Sequence, residues 1–272
     1  MARIAILQMT SGIEPASNIT QIEQAIADAK GEGANMLFTP EMCGMLDSKR
    51  KRAGTKIAAE ASDLVLRRTR EAAAKAGLYV ALGSLAVARE DGKWVNRSYL
   101  IDGSGGIAAR YDKIHMFDVE LESGETWRES AAYAPGDNCV SAAETPIGTL
   151  GLAVCYDMRF PALFESLGRH NCDAISIPAA FTKPTGEAHW HILLRARAIE
   201  ASAFVIAAAQ VGTHQDGRET YGHSLVVDPW GEVLLDMGGE APGLGICDID
   251  LARIGEVRRQ LPSLANRRDI LN

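Results

Sequence analysis

Cys155 stands where the apolar stretch Gly151-Leu-Ala-Val turns abruptly polar, shortly before a proline at 161 that can open a helix. In open α/β sheets ligands gather at the carboxyl ends of strands, which is where such a cysteine would sit. A cysteine among apolar neighbours is also common as an inert core residue, and that reading stays open for Cys155 taken alone. Glu41 follows Phe38-Thr39-Pro40 in the same manner, and Lys113 follows Tyr111-Asp112. Each by itself reads as an exposed charge at a strand end. Together they supply a nucleophile, a carboxylate base and a fixed cation, the set that acyl transfer through sulfur requires. A free thiol has a reference pKa of about 8.5 and is mostly protonated at neutral pH, so a neighbouring base or cation must activate it. The tetrahedral intermediate carries an oxyanion, which a lysine ammonium and a backbone N–H can hold.

Other chemistries lack their parts. No Gly-x-Ser-x-Gly elbow is present, and His223-Ser224 falls in a strand pattern without a plausible acid beside it. Neither a Walker A sequence nor Gly-x-Gly-x-x-Gly occurs. His189 and His191 are two apart on an expected helix, so they should diverge, and no metal site is expected. Acidic residues number 35 against 28 basic ones, a net charge of -7, and the one dense basic cluster is Ser48-Lys49-Arg50-Lys51-Arg52. That cluster reads as a solvated loop or helix start, and nucleic acid is not an expected partner. Five scattered cysteines without a Cys-x-x-Cys pair argue against a disulfide framework or zinc ribbon and favour a reducing setting, the cytoplasm or an organelle matrix, with the cytoplasm expected. The N-terminus enters a strand pattern at once, with no signal-type apolar region, and no stretch reaches the roughly 18–20 apolar residues of a membrane span.

The chemical side chains need elements to carry them. Residues 4–9 read as a buried strand, 18–34 as a helix with a Ser17/Asn18 cap, and 36–39 as a second strand. A helix over 63–76 precedes strands over 78–87 and 94–101, which flank an Asp91-Gly92 hairpin signal, and a strand over 107–115. Residues 117–138 are polar, carry Gly124, Pro135 and Gly136, and lack periodicity; a loop of that length inside a compact domain is usually functional. Strands over 149–155, 174–177 and 204–210 then alternate with helices over 161–170 and 186–203. A hairpin across Asp228-Pro229-Trp230-Gly231, a strand over 243–249 and a helix over 251–261 follow. Alternating strands and helices interrupted by hairpins predict an α/β fold with mixed sheets covered by helices, in one domain spanning 1–272.

The motifs Pro40-Glu41, Tyr111-Asp-Lys113-Ile-His115 and Gly151-Leu-Ala-Val-Cys155-Tyr-Asp-Met-Arg159-Phe resemble the Glu, Lys and Cys motifs of the nitrilase superfamily of carbon-nitrogen hydrolases, in the family's order. His189-Trp190, Arg195-Ala-Arg197-Ala-Ile-Glu200 and Tyr221-Gly-His-Ser-Leu-Val-Val-Asp-Pro-Trp-Gly231 resemble its amidase branch, which contains deaminated glutathione amidase and omega-amidase. The likeness runs from Arg3 to about Arg268. It implies a four-layer αββα sandwich, paired as a homodimer, that needs no cofactor. It implies Cys155 as nucleophile, Glu41 as general base, Lys113 as the oxyanion-stabilising lysine, and Glu129 as a second glutamate that orients lysine and substrate. The Tyr156 N–H would be the second oxyanion donor, and Arg159 would hold a substrate carboxylate. The implied reaction cleaves a small carboxylate-bearing amide through an acyl-thioester, with deaminated glutathione preferred over 2-oxoglutaramate. Ala162 and His191 stand where relatives commonly carry acidic residues; neither touches the triad, and both bear on substrate preference, as does the stretch 213–220.

Overall fold

Residues 1–120 and 126–268 are described by the computed structural model. The apolar N-terminal run forms β1 (Ala2–Gln8). Successive strand side chains point to opposite faces, and here both are covered: Ile4 and Ile6 enter one core, Ala5 and Leu7 another. That double burial is why the run is continuously apolar. From β1 the chain passes through α1 (Pro15–Gly31) to β2 (Met36–Phe38), then through α2 (Arg50–Ala53) and α3 (Leu64–Ala76) to β3 (Tyr79–Ala88). These three strands are parallel. β4 (Trp94–Ile101) and β5 (Ile107–Asp112) extend the sheet antiparallel, and β6 (Asp118–Glu120) with β7 (Thr126–Arg128) forms a separate ribbon.

The second half repeats the plan. β8 (Val140–Thr145) pairs antiparallel with β9 (Gly148–Leu152); α4 (Pro161–Arg169) then leads to β10 (Ala174–Ser176), and α5 (Lys183–Ala201) to β11 (Phe204–Ala207). β9, β10 and β11 are parallel. A small ribbon of β12 (Val211–Thr213) and β13 (Glu219–Tyr221) precedes β14 (Leu225–Val227) and β15 (Val233–Asp236), which complete this sheet. β16 (Gly243–Ile249) returns to pair with β1, and α6 (Ala252–Gln260) follows. The sheet orders are therefore β16-β1-β2-β3-β4-β5 and β15-β14-β11-β10-β9-β8.

Ile4, Phe38 and Leu100 of the first sheet share a core with Leu152, Ile175 and Val205 of the second. On the outer face of the first sheet, α1 and α3 bury Ile22, Ile26, Val65 and Leu66; Phe164 of α4 and Trp190 of α5 pack on the second. This is the αββα sandwich, and each such side chain contributes roughly 1.5–3 kcal/mol by leaving water.

Several elements depart from expectation for local reasons. α1 starts at Pro15, with Glu14 at the cap position, and Asn18 lies inside it. Proline suits the first helical turn, and the Asn18 amide is used elsewhere, bonding Gly12 N–H, Gly12 O and Gly44 O. α5 includes Gly186 because a Cβ there would lie 2.3 Å from the Tyr221 ring; this glycine permits close packing and does not start the helix. β8 is a half-exposed edge strand without alternation, so no periodicity marks it in the sequence, and the ribbons are short and polar. The ribbon β6–β7 occupies part of the expected loop 117–138, in which Gly124 lies outside the described residues. His223 does have an acid beside it: Nδ1 lies 2.9 Å from Asp236 Oδ1, and His191 Nε2 is 3.0 Å from Asp236 Oδ2. Strand pairing delivers that acid across the β14–β15 hairpin, so His191 meets His223 and Asp236 in a group of possible metal ligands where no such convergence was expected.

Candidate active site

Glu41 follows β2 on a turn that crosses β3 at close range. A Cβ on Gly83 would lie 2.1 Å from Thr39 O and 2.3 Å from Pro40 O, so only glycine fits beneath the turn. The β3–β4 register shifts between Leu82 and Leu85, freeing Gly83 and Ser84 to bind it. Gly83 N–H donates to Thr39 Oγ1 at 2.9 Å, Met42 N–H to Ser84 Oγ at 3.0 Å, and Cys43 N–H to Ser84 O at 3.2 Å. Gln210 Nε2 holds the Glu41 carbonyl at 2.9 Å.

Lys113 leaves β5 with its N–H donating to Asn96 O and its carbonyl accepting from Gly136 N–H, both at 2.9 Å. Its Nζ lies 3.0 Å from Glu41 Oε1 and 2.9 Å from Glu129 Oε2. Asn96 Nδ2 bridges the two carboxylates, at 2.9 Å from Glu41 and 3.3 Å from Glu129. The remaining Glu41 oxygen accepts the Ala180 N–H at 2.9 Å, and Phe117 N–H donates to Glu129 at 2.7 Å.

Cys155 terminates the run after β9 with a φ of 48°. A left-handed conformation at a non-glycine costs on the order of 1–3 kcal/mol and persists where surroundings enforce it. The enforcing group is Asp157, whose side chain is fully buried. It accepts Val154 N–H at 2.9 Å, the Tyr111 hydroxyl at 2.7 Å and His115 N–H at 3.0 Å, with His115 Nδ1 at 2.7 Å. One carboxylate thus ties the cysteine turn to the strand that delivers Lys113. Cys155 N–H donates to Pro178 O at 2.9 Å and Asp157 N–H to Val154 O at 3.1 Å. The first N–H groups of a helical turn have no partner within it, and Tyr156 N–H occupies that position in the turn Cys155–Arg159.

Burial alone would raise the Glu41 carboxyl, but the Lys113 charge and hydrogen bonds from Cys155, Lys113 and Ala180 outweigh it, holding the group below the usual carboxylate range. Burial disfavours the Lys113 ammonium, yet Glu129 and Glu41 keep it charged far beyond ordinary lysine. Burial, reinforced by Glu41, pushes the Cys155 thiol well up against the opposing pull of Lys113. The resting constellation is a neutral thiol hydrogen-bonded to an ionised carboxylate beside a permanent cation, able to form a thiolate as it attacks.

Glu41, Lys113, Glu129, Cys155 and Tyr156 all line one cavity of about 440 Å³. Arg159 does not reach its wall: its guanidinium stacks over the lining rings of Phe181 and Tyr156, at 5.3 and 5.9 Å from their centroids, and contacts His189 Nδ1 at 3.4 Å. Ala162 and His191 also lie outside the lining, whereas Arg218 from the stretch 213–220 and Arg50 from the basic cluster belong to it. Sequence patterning does not single out Asn96, Asp157 or Gly83. The available signal was a polar or charged residue inside an apolar strand or motif, which for Asn96 and Asp157 marks burial with a partner.

The family model described as carbon-nitrogen hydrolase matches residues 3–259. Deaminated glutathione amidase of Yersinia enterocolitica is 41% identical, over 98% of this chain and 93% of that protein. The crystal structure of the C. elegans NitFhit protein superposes with a TM-score of 0.88 at 34% identity, over 98% of this chain and 66% of that longer one. A variant of the amidase from Nesterenkonia sp. AN1 matches with a TM-score of 0.82 at 28% identity, over 98% of this chain and 94% of its own. That variant carries the acetamide moiety of fluoroacetamide covalently on its active-site cysteine.

Proposed function

Because the chain belongs to the carbon-nitrogen hydrolase family, whose members hydrolyse carbon–nitrogen bonds other than peptide bonds, we propose that it is a thiol amidase that splits deaminated glutathione into 2-oxoglutarate and cysteinylglycine. The observation that carries the mechanism is the convergence of Cys155, Glu41, Lys113 and Glu129 on one buried cluster. Cys155 Sγ attacks the amide carbonyl while Glu41 takes its proton. The same carboxyl protonates the departing amine, and a water activated by Glu41 then hydrolyses the thioester. Lys113 and the Tyr156 N–H hold the oxyanion, and Glu129 keeps the ammonium charged and in place. Arg159, stacked on two lining rings, positions that wall.

The substrate assignment rests on similarity to the deaminated glutathione amidases of Yersinia enterocolitica and Homo sapiens, at 41% and 37% identity. It is tested by kcat/KM for deaminated glutathione against 2-oxoglutaramate. A tenfold preference for the former, about 1.4 kcal/mol of transition-state binding, supports it. A reversed ratio makes the enzyme an omega-amidase, and turnover of neither leaves only the general hydrolase.

A homodimer is part of the same reading. Ile192, Ile199, Trp230, Val233 and Leu234 are exposed on α5 and the β14–β15 hairpin, an apolar face of the kind that partners cover. Light scattering should give twice the 29.2 kDa chain mass, and Ile192→Asp should return a monomer. Five unpaired cysteines support the cytoplasm as the site of action. Among the described residues no helix is long and apolar enough to cross a membrane.

A further inference from the structure

Deep in the cavity each charge has a fixed partner: Lys113 lies between Glu41 and Glu129, and Asp47, also in the lining, is held by Arg52 at 2.6 Å. Among the described residues, the surplus on the rest of the wall is positive. Arg50 lies 5.6 Å from the Trp94 ring centroid and has no ion pair among the described residues. Arg128 reaches Glu120 only at 3.8 Å, between exposed side chains. Arg218 is 3.5 Å from Asp216, a carboxylate that also accepts Ser48 N–H at 2.7 Å.

Arg218 is the one built into the wall. Its side chain is 17% exposed, and its Cζ sits 4.5 Å from the Trp127 ring centroid. Among the described residues, three buried side-chain polar atoms lack a hydrogen-bond partner, and two of them, Arg218 Nε and Trp127 Nε1, belong to this stacked pair. A buried donor left unsatisfied costs about 1–3 kcal/mol, so two side by side are a standing deficit of acceptors. The turn that presents Arg218 is fixed by His214, whose Nδ1 lies 3.0 Å from Ser11 O and whose Nε2 lies 2.8 Å from Thr220 Oγ1. A guanidinium lying on an aromatic face offers its planar edge, the geometry that pairs with a carboxylate. On a chain of net charge -7, such a patch gives an anionic substrate a local reason to approach.

We infer that Arg218, backed by Trp127, is a carboxylate subsite that takes the end of the substrate remote from the scissile amide. This rests on reading the cavity as that of an amidase for a carboxylate-bearing amide. Two carboxylates of deaminated glutathione could fill it, one on the acyl side and one on the leaving peptide.

The test compares wild type with Arg218→Gln on deaminated glutathione, on its C-terminal carboxamide and on 2-oxoglutaramate, and measures glutarate binding by calorimetry to Cys155→Ala with and without Arg218→Gln. The expected result is a loss of tenfold or more in kcat/KM on deaminated glutathione, mostly in KM, with glutarate bound at least fivefold more weakly. Arg218→Lys should recover part of both. A loss at least fivefold greater on the acid than on its carboxamide assigns the leaving-group carboxylate; equal losses on all three amides, with weakened glutarate, assign the acyl end. Unchanged glutarate affinity together with equal losses on the acid and its carboxamide overturns the subsite, because the change is then structural. Glutarate binding needs no turnover, so failure of wild type to cleave deaminated glutathione removes that substrate while the subsite is still judged.

Discussion

The two ends of the cavity are built on opposite principles. At the base, Lys113 and Asn96 each donate to both Glu41 and Glu129, and β2, β4 and β5 of the first sheet with the turn after β7 carry the four residues. At the rim, Arg50, Arg128 and Arg218 come from a short helix, a ribbon and a turn, and among the described residues their cations outnumber nearby carboxylates. A group that must transfer a proton on schedule needs a fixed, desolvated partner; a group that recognises a substrate needs a valence left open for it. On the proposed reading, the base carries chemistry common to any amide and the rim carries the choice among amides.

The largest disturbance of that division is Cys155→Ser, which should abolish measurable turnover while circular dichroism stays native. A serine hydroxyl is far less acidic than a thiol, and Glu41 cannot make up the difference. Retention of a tenth of wild-type activity would end the thiol mechanism. Next, Glu41→Gln keeps the shape but removes the base, and kcat should fall by a factor on the order of 10² to 10⁴ on charged and neutral amides alike. A loss confined to carboxylate-bearing amides would place Glu41 functionally with the rim.

Gly83→Ala tests whether the base depends on its support. The added Cβ would meet the Thr39 and Pro40 carbonyls at 2.1 and 2.3 Å, so the Glu41 turn must lift. The expected outcome is a fall in kcat of roughly 10²-fold, the scale of a displacement of about 1 Å in a reacting group, together with a lower Tm. Full activity would show that the turn is not held from below.

The smallest effect is in pH. Glu41 titrates below the ordinary carboxylate range and Cys155 above the ordinary thiol range, each for the causes already given. Since the folded Glu41 pKa is depressed, the stability from its ionised form is complete above the unfolded value of about 4.3 and is lost as pH falls through the lower folded value. kcat/KM should accordingly stay flat, within about twofold, from about pH 5.5 to 8, well above that range. A limb already falling at pH 6 in a pH–rate profile would mean that Glu41 is not held ionised.

Much of this was legible without coordinates, because the relevant signals are local. Glu41, Lys113 and Cys155 each follow a strand by one to three residues, and strand ends aim side chains at the same edge of an α/β fold. The alternation of strands with helices in both halves likewise followed from periodicity. What stayed hidden depends on partners far away in sequence. Asn96 bonds Glu41 across 55 residues, Asp157 meets Tyr111 across 46, and Asp236 reaches His191 across 45. No pattern near Asn96 says which carboxylate it will bridge, since the strand order of the first sheet, which sets β4 next but one to β2, selects that partner. Arg218 is the extreme case: in the sequence it is one charge in a polar stretch, and only the closing of its turn over Trp127 makes it part of the wall. The sequence by itself determined which side chains can do the chemistry; tertiary structure decided which were held and which were left open, because hydrogen-bond satisfaction belongs to the packed interior and cannot be read one strand at a time.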